Sequence, residues 1–564
     1  MYLRTTSRRT KDGQLVRYLQ LAHNERNAQG TPVAKVITSL GREDQVDREG
    51  LMRLVASISR FLGQDGLEAT APAGFSFLRA PELGGPHLLG ALWTELGLGR
   101  CLARAAKATR HRSDVERAVF AMVAQRALAP GSKLAATQWL GRDVEVPGLE
   151  RVSDDQLYRA MDFLLANGER VQQSVFHSVA NLLNLEVDVI FFDTTSTYFE
   201  ADPDDEDEDE EGELVEPGLR RLGHSKDHRP DLPQAVIGLA VTREGIPVRV
   251  WVWPGNTNDQ TVVEEVKADL TGWQLGRAVY VMDTGFNSKE NLRALQSTGG
   301  HYIAGCKLRS GMAETQIALS RQGRYQAIKE NLRVKDIRVG DGEAATRYVV
   351  CHNPAEAQLQ HDRRDGHIKR IEAELQRLAA QHERASGKSE RQAHHRGECA
   401  LRDHRTLGRY LRQTKTGRLV LDRASITAEE RLDGKYLLTT SDTSLSAEDV
   451  ALGYRKLLEA ERSFRDLKGI LLLRPVYHRR EDRIRAHVLV CFLALILVRV
   501  SEQRTAQTWR QLRPQLGEIR NGHFAGPDGT FTQTTELTAT QRGLLRELGV
   551  SEPSRITTVT PAST

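Results

Sequence analysis

Cysteine is scarce in this chain: five occur in 564 residues (Cys101, Cys306, Cys351, Cys399, Cys491), and none forms a CxxC pair. A scattered, odd-numbered set excludes a disulfide framework and a zinc ribbon, and it points to a reducing compartment, the cytosol. Long apolar runs are also missing. The longest, His487 to Val498, spans 12 positions, against the roughly 18 or more that cross a bilayer. It reads as a buried helix. The opening MYLRTTSRRTKDGQ has no apolar segment of the secretory kind, so a soluble cytoplasmic protein with no membrane contact is expected. Net charge is small too, at +4 from 79 Lys and Arg against 75 Asp and Glu. That balance hides a segregation, because residues 202–216 hold eleven acids and no base, and the rest of the chain sums to +15. A basic body of this kind suits a polyanionic partner.

What is present has the length of several domains, at roughly 150 residues each. Residues 1–62 open with short apolar runs between Lys-Asp-Gly and Ala-Gln-Gly turns, which predicts a small β-meander. Arg4, Arg8, Arg9, Lys11 and Arg17 make it basic, as a solvated sheet face or a DNA contact. Residues 63–184 are helical in pattern. Ser113-Asp-Val-Glu116 and Ser153-Asp-Asp-Gln156 read as capping boxes ahead of apolar-periodic stretches, and this segment is a candidate DNA-binding domain.

Residues 185–307 change character. Val187 to Phe192 is a β-rich run ending in Asp193, followed after the acidic segment by Ala235 to Val241 and Val248 to Trp253 around a Gly245 turn. A helix from Asp259 to Leu270, with Asp259 as N-cap, precedes a strand, Ala278 to Met282, that ends in Asp283. A helix (Ser288 to Gln296) and a strand (His301 to Lys307) complete the series. Three strands feeding helix-linked strands make a ribonuclease H-like α/β layout. Trp251 and Trp253 are expected in its core.

That layout is interrupted at 308–445. Ile337 to Cys351 and Arg418 to Thr440 are strand-like, and 356–418, with 15 Lys and Arg against 9 Asp and Glu, is a helical arm or a DNA-facing surface. His394, His395 and Cys399 lie there without a fourth ligand at metal-binding spacing. In 446–504 a Ser446-x-x-Asp449 box opens a helix to about Leu467, with Gly469 as a stop, ahead of the apolar helix at 481–503. The tail, 505–564, ends in a Thr-rich stretch expected to be disordered.

Asp193 and Asp283 each close an apolar strand, where open α/β sheets bind their ligands. Two acids on neighbouring strands repel unless a cation lies between them. Mg²⁺, or Mn²⁺ in its place, takes oxygen ligands while keeping water positions. Glu461 is the candidate third acid, sharing a helix face with Leu457, Leu458 and Phe464 and so expected to point inward. Its rivals Glu459 and Asp466 hold more solvated positions. Two ions on three acids activate a nucleophilic oxygen and stabilise the leaving oxygen of an in-line phosphoryl displacement. Lys468, two turns on, either reaches a phosphate or is an ordinary C-terminal lysine. Lys226, His228 and Arg229 either grip phosphates beside Asp193 or form a charged hairpin flank. The acidic run 202–216 is expected to be a solvated loop that repels DNA, or a shield that DNA displaces from the site.

With these residues in place the chain resembles the DDE transposases of bacterial insertion sequences, in the group with a Tyr-x2-Arg-x3-Glu-x6-Lys signature. Tyr454, Glu461 and Lys468 fall in register, while Leu457 holds the Arg position and Arg455 or Arg465 is left to substitute. FFDTTSTYFE (191–200) and VMDTGFNS (281–288) are similar to the two Asp motifs. GHSKDHRPDLPQ (223–234), PGNTNDQ (254–260), RPVYH (474–478) and RIRAHVLV (483–490) also resemble the group. The resemblance implies a ribonuclease H-like core interrupted by a β-rich insertion. It implies nicking of element ends with two Mg²⁺ ions on Asp193, Asp283 and Glu461, then attack of the exposed 3′-OH on target DNA. Tyr454, Lys468 and Arg465 then contact DNA, a homodimer pairs two inverted-repeat ends, and the setting is the bacterial nucleoid. Some members flip a base onto an insertion-domain Trp. None lies between 284 and 450 here, which leaves a Tyr such as Tyr436 for that stack. A metal-dependent nuclease without strand transfer and a non-catalytic DNA-binding regulator are the alternatives, and the intact acid set argues against the second.

Overall fold

A computed structural model describes residues 2–9, 15–26, 32–61, 76–109, 114–182, 189–200, 218–271, 273, 279–297, 299–308, 313–342, 345–527 and 529–561. The acidic run 202–216 and Ser113 lie outside the described residues. The chain forms two units, one of residues 1–78 with 524–530 and 560–564, the other of residues 79–523 with 531–559.

The first unit is built on the expected meander: β1 (Tyr2–Arg9), β2 (Leu15–Arg26) and β3 (Pro32–Arg42), paired antiparallel in that order. The register runs from Tyr2↔Ala22 to Arg9↔Leu15. Helix α1 (Arg48–Phe61) follows, opened by Asp47 accepting from the Gly50 amide at 2.8 Å. Strand β4 (Ser76–Arg79) leads out of it.

Six helices begin the second unit: α2 (Gly84–Glu95), α3 (Leu98–Ala108), α4 (Val115–Leu128), α5 (Lys133–Arg142), α6 (Asp154–Ala166) and α7 (Gly168–Leu182). The Ser153–Gln156 capping box is formed as read. Helix α4 is buried from Ala118 to Leu128, and its buried Arg126 donates to the Gly131 carbonyl at 3.0 Å.

The central sheet begins with β5 (Val189–Tyr198), β6 (Gln234–Val241) and β7 (Pro247–Pro254), turning at Gly245 with φ +77°. Helix α8 (Val263–Thr271), β8 (Val279–Met282), α9 (Lys289–Gln296, capped by Ser288) and β9 (His301–Cys306) follow. The order β9-β8-β5-β6-β7, with β5 parallel to β8 and β8 to β9, is the ribonuclease H-like arrangement the sequence predicts. Strand alternation splits the core in two. Val189 and Phe191 join one buried cluster, Ile190 and Phe192 the other, where the stacked Trp251 and Trp253 also lie.

The segment 308–445, expected as an insertion, carries α10 (Ala313–Ser320), β10 (Gln326–Lys329), β11 (Leu332–Val339) and β12 (Thr346–His352). It continues through α11 (Pro354–Arg384), α12 (Lys388–Arg402), β13 (Leu411–Gln413), β14 (Leu419–Leu421), α13 (Arg423–Glu430) and β15 (Lys435–Thr440). Its outer strands do not form a separate sheet. β15 pairs with β9, and β12, β11 and β10 extend from it, making one nine-stranded sheet. The stretch Arg418 to Thr440, read as strand-like, contains helix α13, whose cap is Asp422 accepting from the Ala424 and Ser425 amides.

The helix expected from Ser446 to about Leu467 is two helices, α14 (Ala447–Arg455) and α15 (Leu458–Gly469). Between them the Lys456, Leu457 and Glu459 amides each bond the carbonyl three residues back. This tighter winding breaks the α-helical phase. Helix α16 (Glu481–Thr505) is long and apolar enough to cross a membrane, yet 94% of its apolar window is buried inside the protein. The tail forms α17 (Trp509–Gly517), β16 (Asn521–Gly526), β17 (Gly529–Thr534), α18 (Ala539–Glu547) and β18 (Ile556–Pro561). Within the end expected to be disordered, Ile556–Pro561 is therefore a strand, in keeping with the β-branched run Ile556 to Thr560.

Candidate active site

Asp193 does not end its strand; β5 runs on to Tyr198, paired with β6 as far as Tyr198↔Gln234. It stands where the parallel pairing with β8 stops, one residue past Phe192↔Met282, so Asp193 and Asp283 leave adjacent strands together. Alternation gives both the face of Val189, Phe191 and Val281, the face covered by the cluster containing Leu457 and, from α15, Phe464. Burial pushes the Asp193 carboxyl up to about 7, and Asp283 and Asp259 push the same way against Lys226 and the Thr194 amide. Asp283 is exposed and accepts from the Tyr454 hydroxyl at 3.1 Å.

Asp259 is a site residue whose role differs from the expected one. It is not the N-cap of α8, which starts four residues later. Its carboxylate accepts from Lys226 Nζ at 2.9 Å and from the Thr194 hydroxyl, and Lys226 also donates to the Thr194 carbonyl at 2.9 Å. Lys226 is thus locked beside Asp193 rather than extended into solvent. His228 is exposed at φ +58°, and Arg229 pairs with Asp231 at 2.9 Å.

Asp227, inconspicuous among its basic neighbours, is the anchor of a second network. Its side chain is 5% exposed, and it pairs with Lys468 Nζ at 2.6 Å and with Arg474. Burial lowers the Lys468 pKa and Asp227 raises it again. Arg465 is exposed. Leu457, at the signature's Arg position, is buried.

Glu461 does not point into the core. It is exposed, because the buried stripe of α15 is Ala460, Ser463, Phe464 and Leu467, and Glu461 stands at the edge of that stripe, as Lys468 does one heptad on. Tyr454 and Glu461, seven residues apart, would share a face of one continuous helix. The break at Lys456–Leu457 sends Tyr454 to Asp283 and leaves Glu461 at that edge. Tyr436 stacks on Tyr454 with ring centroids 6.0 Å apart.

Asp193 and Asp283 fit a hard divalent cation: two oxygen donors on one face, one of them held short of easy ionisation by burial. Among the described residues, no three His, Cys, Asp or Glu side chains cluster closely enough to hold one, so Glu461 stands outside the pair.

The transposase DDE domain matches residues 235–497, a span that includes Asp283 and Glu461 and begins after Asp193. The N-terminal domain of IS1634 family transposases matches residues 3–71, and the two spans take in more than half of the chain. No curated protein matches. Among solved structures, a cryo-EM structure of the piggyBac transposase synaptic complex with hairpin DNA is similar at 10% identity and a TM-score of 0.35, over 72% of this chain and 70% of that one. The chain belongs to the DDE transposases of insertion sequences, enzymes that cut DNA and transfer the cut strand with a divalent metal.

Proposed function

We propose that this transposase belongs to the Tyr-Arg-Glu-Lys group and acts on the terminal inverted repeats of its own element, with Asp193, Asp283 and Glu461 holding two Mg²⁺ ions. The observation that carries the reading is that Asp193 and Asp283 follow the last pair, Phe192↔Met282, of the parallel strands β5 and β8, on the face packed by α15. Bound there, divalent cations stabilise charge on the attacking and leaving oxygens of an in-line displacement. Glu461, at the edge of α15, is the acid that closes the set when α15 shifts or turns on DNA binding.

The remaining residues orient and grip. Tyr454 steers the Asp283 carboxylate through its hydroxyl. Lys226 holds positive charge behind Asp193, and Lys468 is drawn towards the same loop by Asp227. For either lysine to meet DNA, phosphate must replace a carboxylate partner, an exchange of one charge-assisted bond for another. Arg465 and His228 sit at exposed positions and contact the backbone without that exchange, whereas Arg229 must first give up Asp231. The meander at 1–62 and the helical segment 63–184 serve as DNA-binding parts, with 185–307 and 446–504 forming the catalytic core, 308–445 its insertion and 505–564 the tail. Two copies pair two ends, in the cytoplasm on nucleoid DNA.

A supercoiled plasmid bearing the gene and its native flanks tests this, with wild-type protein and Asp193→Ala, in Mg²⁺ and in EDTA. Breaks with 3′-OH ends at the element boundaries are expected, lost in EDTA and in the variant while DNA affinity holds. Scattered cuts would mean a nuclease without strand transfer, and binding without cutting a regulator.

A further inference from the structure

Helices α3 and α7 enclose an open concavity of about 560 Å³ on the helical part of the second unit. Three arginines line it: Arg100 and Arg104, one turn apart on α3, and Arg170 on α7. All three are exposed, and among the described residues no ion pair involves any of them. The nearby acids are engaged elsewhere. Glu116 is bonded by Trp93 and Arg117, each at 2.6 Å, and Glu169 accepts from Gln173 at 3.4 Å. Ser174 and Ser178 follow Arg170 at intervals of four, so one stripe of α7 presents a guanidinium and two hydroxyls to the cavity.

The mouth of α3 opens on the same space. Its N-cap is Gly97, at φ +71°, which has no side chain to satisfy the first-turn amides. No acid occurs anywhere in α3, and Lys107 extends the exposed basic row beyond Arg104. Three converging cations without a counter-charge repel one another, and they gain from an anion with several acceptor oxygens. From Arg100 to Lys107 the row is about 10 Å long at 1.5 Å per residue. That length suits a chain of phosphates better than a single ion, since each DNA strand carries a charge every ~3.4 Å along the axis.

We propose that this α3–α7 surface is a backbone-binding site for duplex DNA, with Arg100, Arg104 and Arg170 on phosphates and the two serines as neutral donors. It deepens the transposase reading by assigning the helical part a specific contact remote in sequence from the catalytic acids. It reads charge and spacing rather than bases, so it adds affinity without sequence preference.

The test is fluorescence anisotropy of a short duplex of arbitrary sequence with the full-length protein, across about 50 to 200 mM salt. The triple variant R100A/R104A/R170A should bind more weakly, and the slope of log K against log salt should fall by about 2 to 3, at ~0.9 for each phosphate left unneutralised. Arg104→Glu alone, at an exposed helix position, should weaken binding in the same direction and keeps the test decisive if the triple variant does not fold. An unchanged slope in folded variants would overturn the proposal. So would stabilisation of the wild type by inorganic phosphate, lost in the variants, alongside unchanged duplex binding, because the site would then serve a free anion. Plasmid cutting by the wild type is read separately, so this surface can fail while the transposase reading stands.

Discussion

Asp227 and Glu374 are both acids beside a cation, yet the Asp227 side chain is 5% exposed and that of Glu374 39%. Asp227 joins Lys468 and Arg474 with its own side chain almost out of reach of water, so its charge relies on those partners. Glu374 lies on the arm formed by α11 and α12, whose surplus of bases is spread along solvated helix faces over a small core of Ile371, Leu378 and Leu401. The difference shows that charge density alone says little about importance. What matters is whether the partner or the solvent does the stabilising.

The comparison can be broken at its strongest point first. Asp227→Ala should destabilise the second unit by about 3–5 kcal/mol, because Lys468 and Arg474 are left without their acid. Urea unfolding measures this, and a loss below about 1 kcal/mol would put the network in the class of surface pairs. A second expectation concerns His478, close by in the chain. Burial, then Lys133 and Arg126, hold its pKa down to about 4 from 6.5. Because the fold favours the neutral ring, its contribution is complete above pH 6.5. It is lost as pH falls towards 4, where the unfolded chain takes the proton first. Roughly 3 kcal/mol is at stake at 1.36 kcal/mol per unit, and His478→Gln should flatten that part of the stability profile. On the arm the effect is smallest. Arg377→Ala removes a 2.8 Å pair with Glu374, 53% and 39% exposed, and should cost below about 0.5 kcal/mol, less still in high salt.

Much of the fold is legible in the sequence because strands and helices advertise themselves by period. The strands that carry Asp193 and lead to Asp283, the Gly245 hairpin and the Ser153 and Ser446 capping boxes follow local rules, and the structure contains each, although β5 runs five residues beyond Asp193. Asp259 escapes those rules because an acid before an apolar-periodic stretch looks like a cap. The loop instead turns on Asn258, which bonds the Gln260 amide at 3.0 Å and receives the Thr261 amide on its carbonyl, and this frees Asp259 for Lys226. Asp227 leaves a trace, one acid among Lys226, His228 and Arg229, but its burial comes from Lys468 and Arg474, more than 240 residues later for each. Glu461 shows the limit of spacing. The signature places it seven residues after Tyr454, and only the break at Lys456–Leu457 decides that the two residues part.

By itself the sequence determined the core strands and helices between Val189 and Cys306, the layout they make and the family, because these rest on patterns within a few tens of residues and on motifs in series. Tertiary structure alone decided that β10, β11, β12 and β15 join the sheet of β5 to β9 through the β15–β9 pairing, and that Lys226 and Lys468 are each claimed by an acid. It alone brought Arg100, Arg104 and Arg170 around one cavity. The physical reason is common to all three: hydrogen-bond partners, ion pairs and shared concavities join residues distant in the chain, and no local period encodes which distant group will arrive.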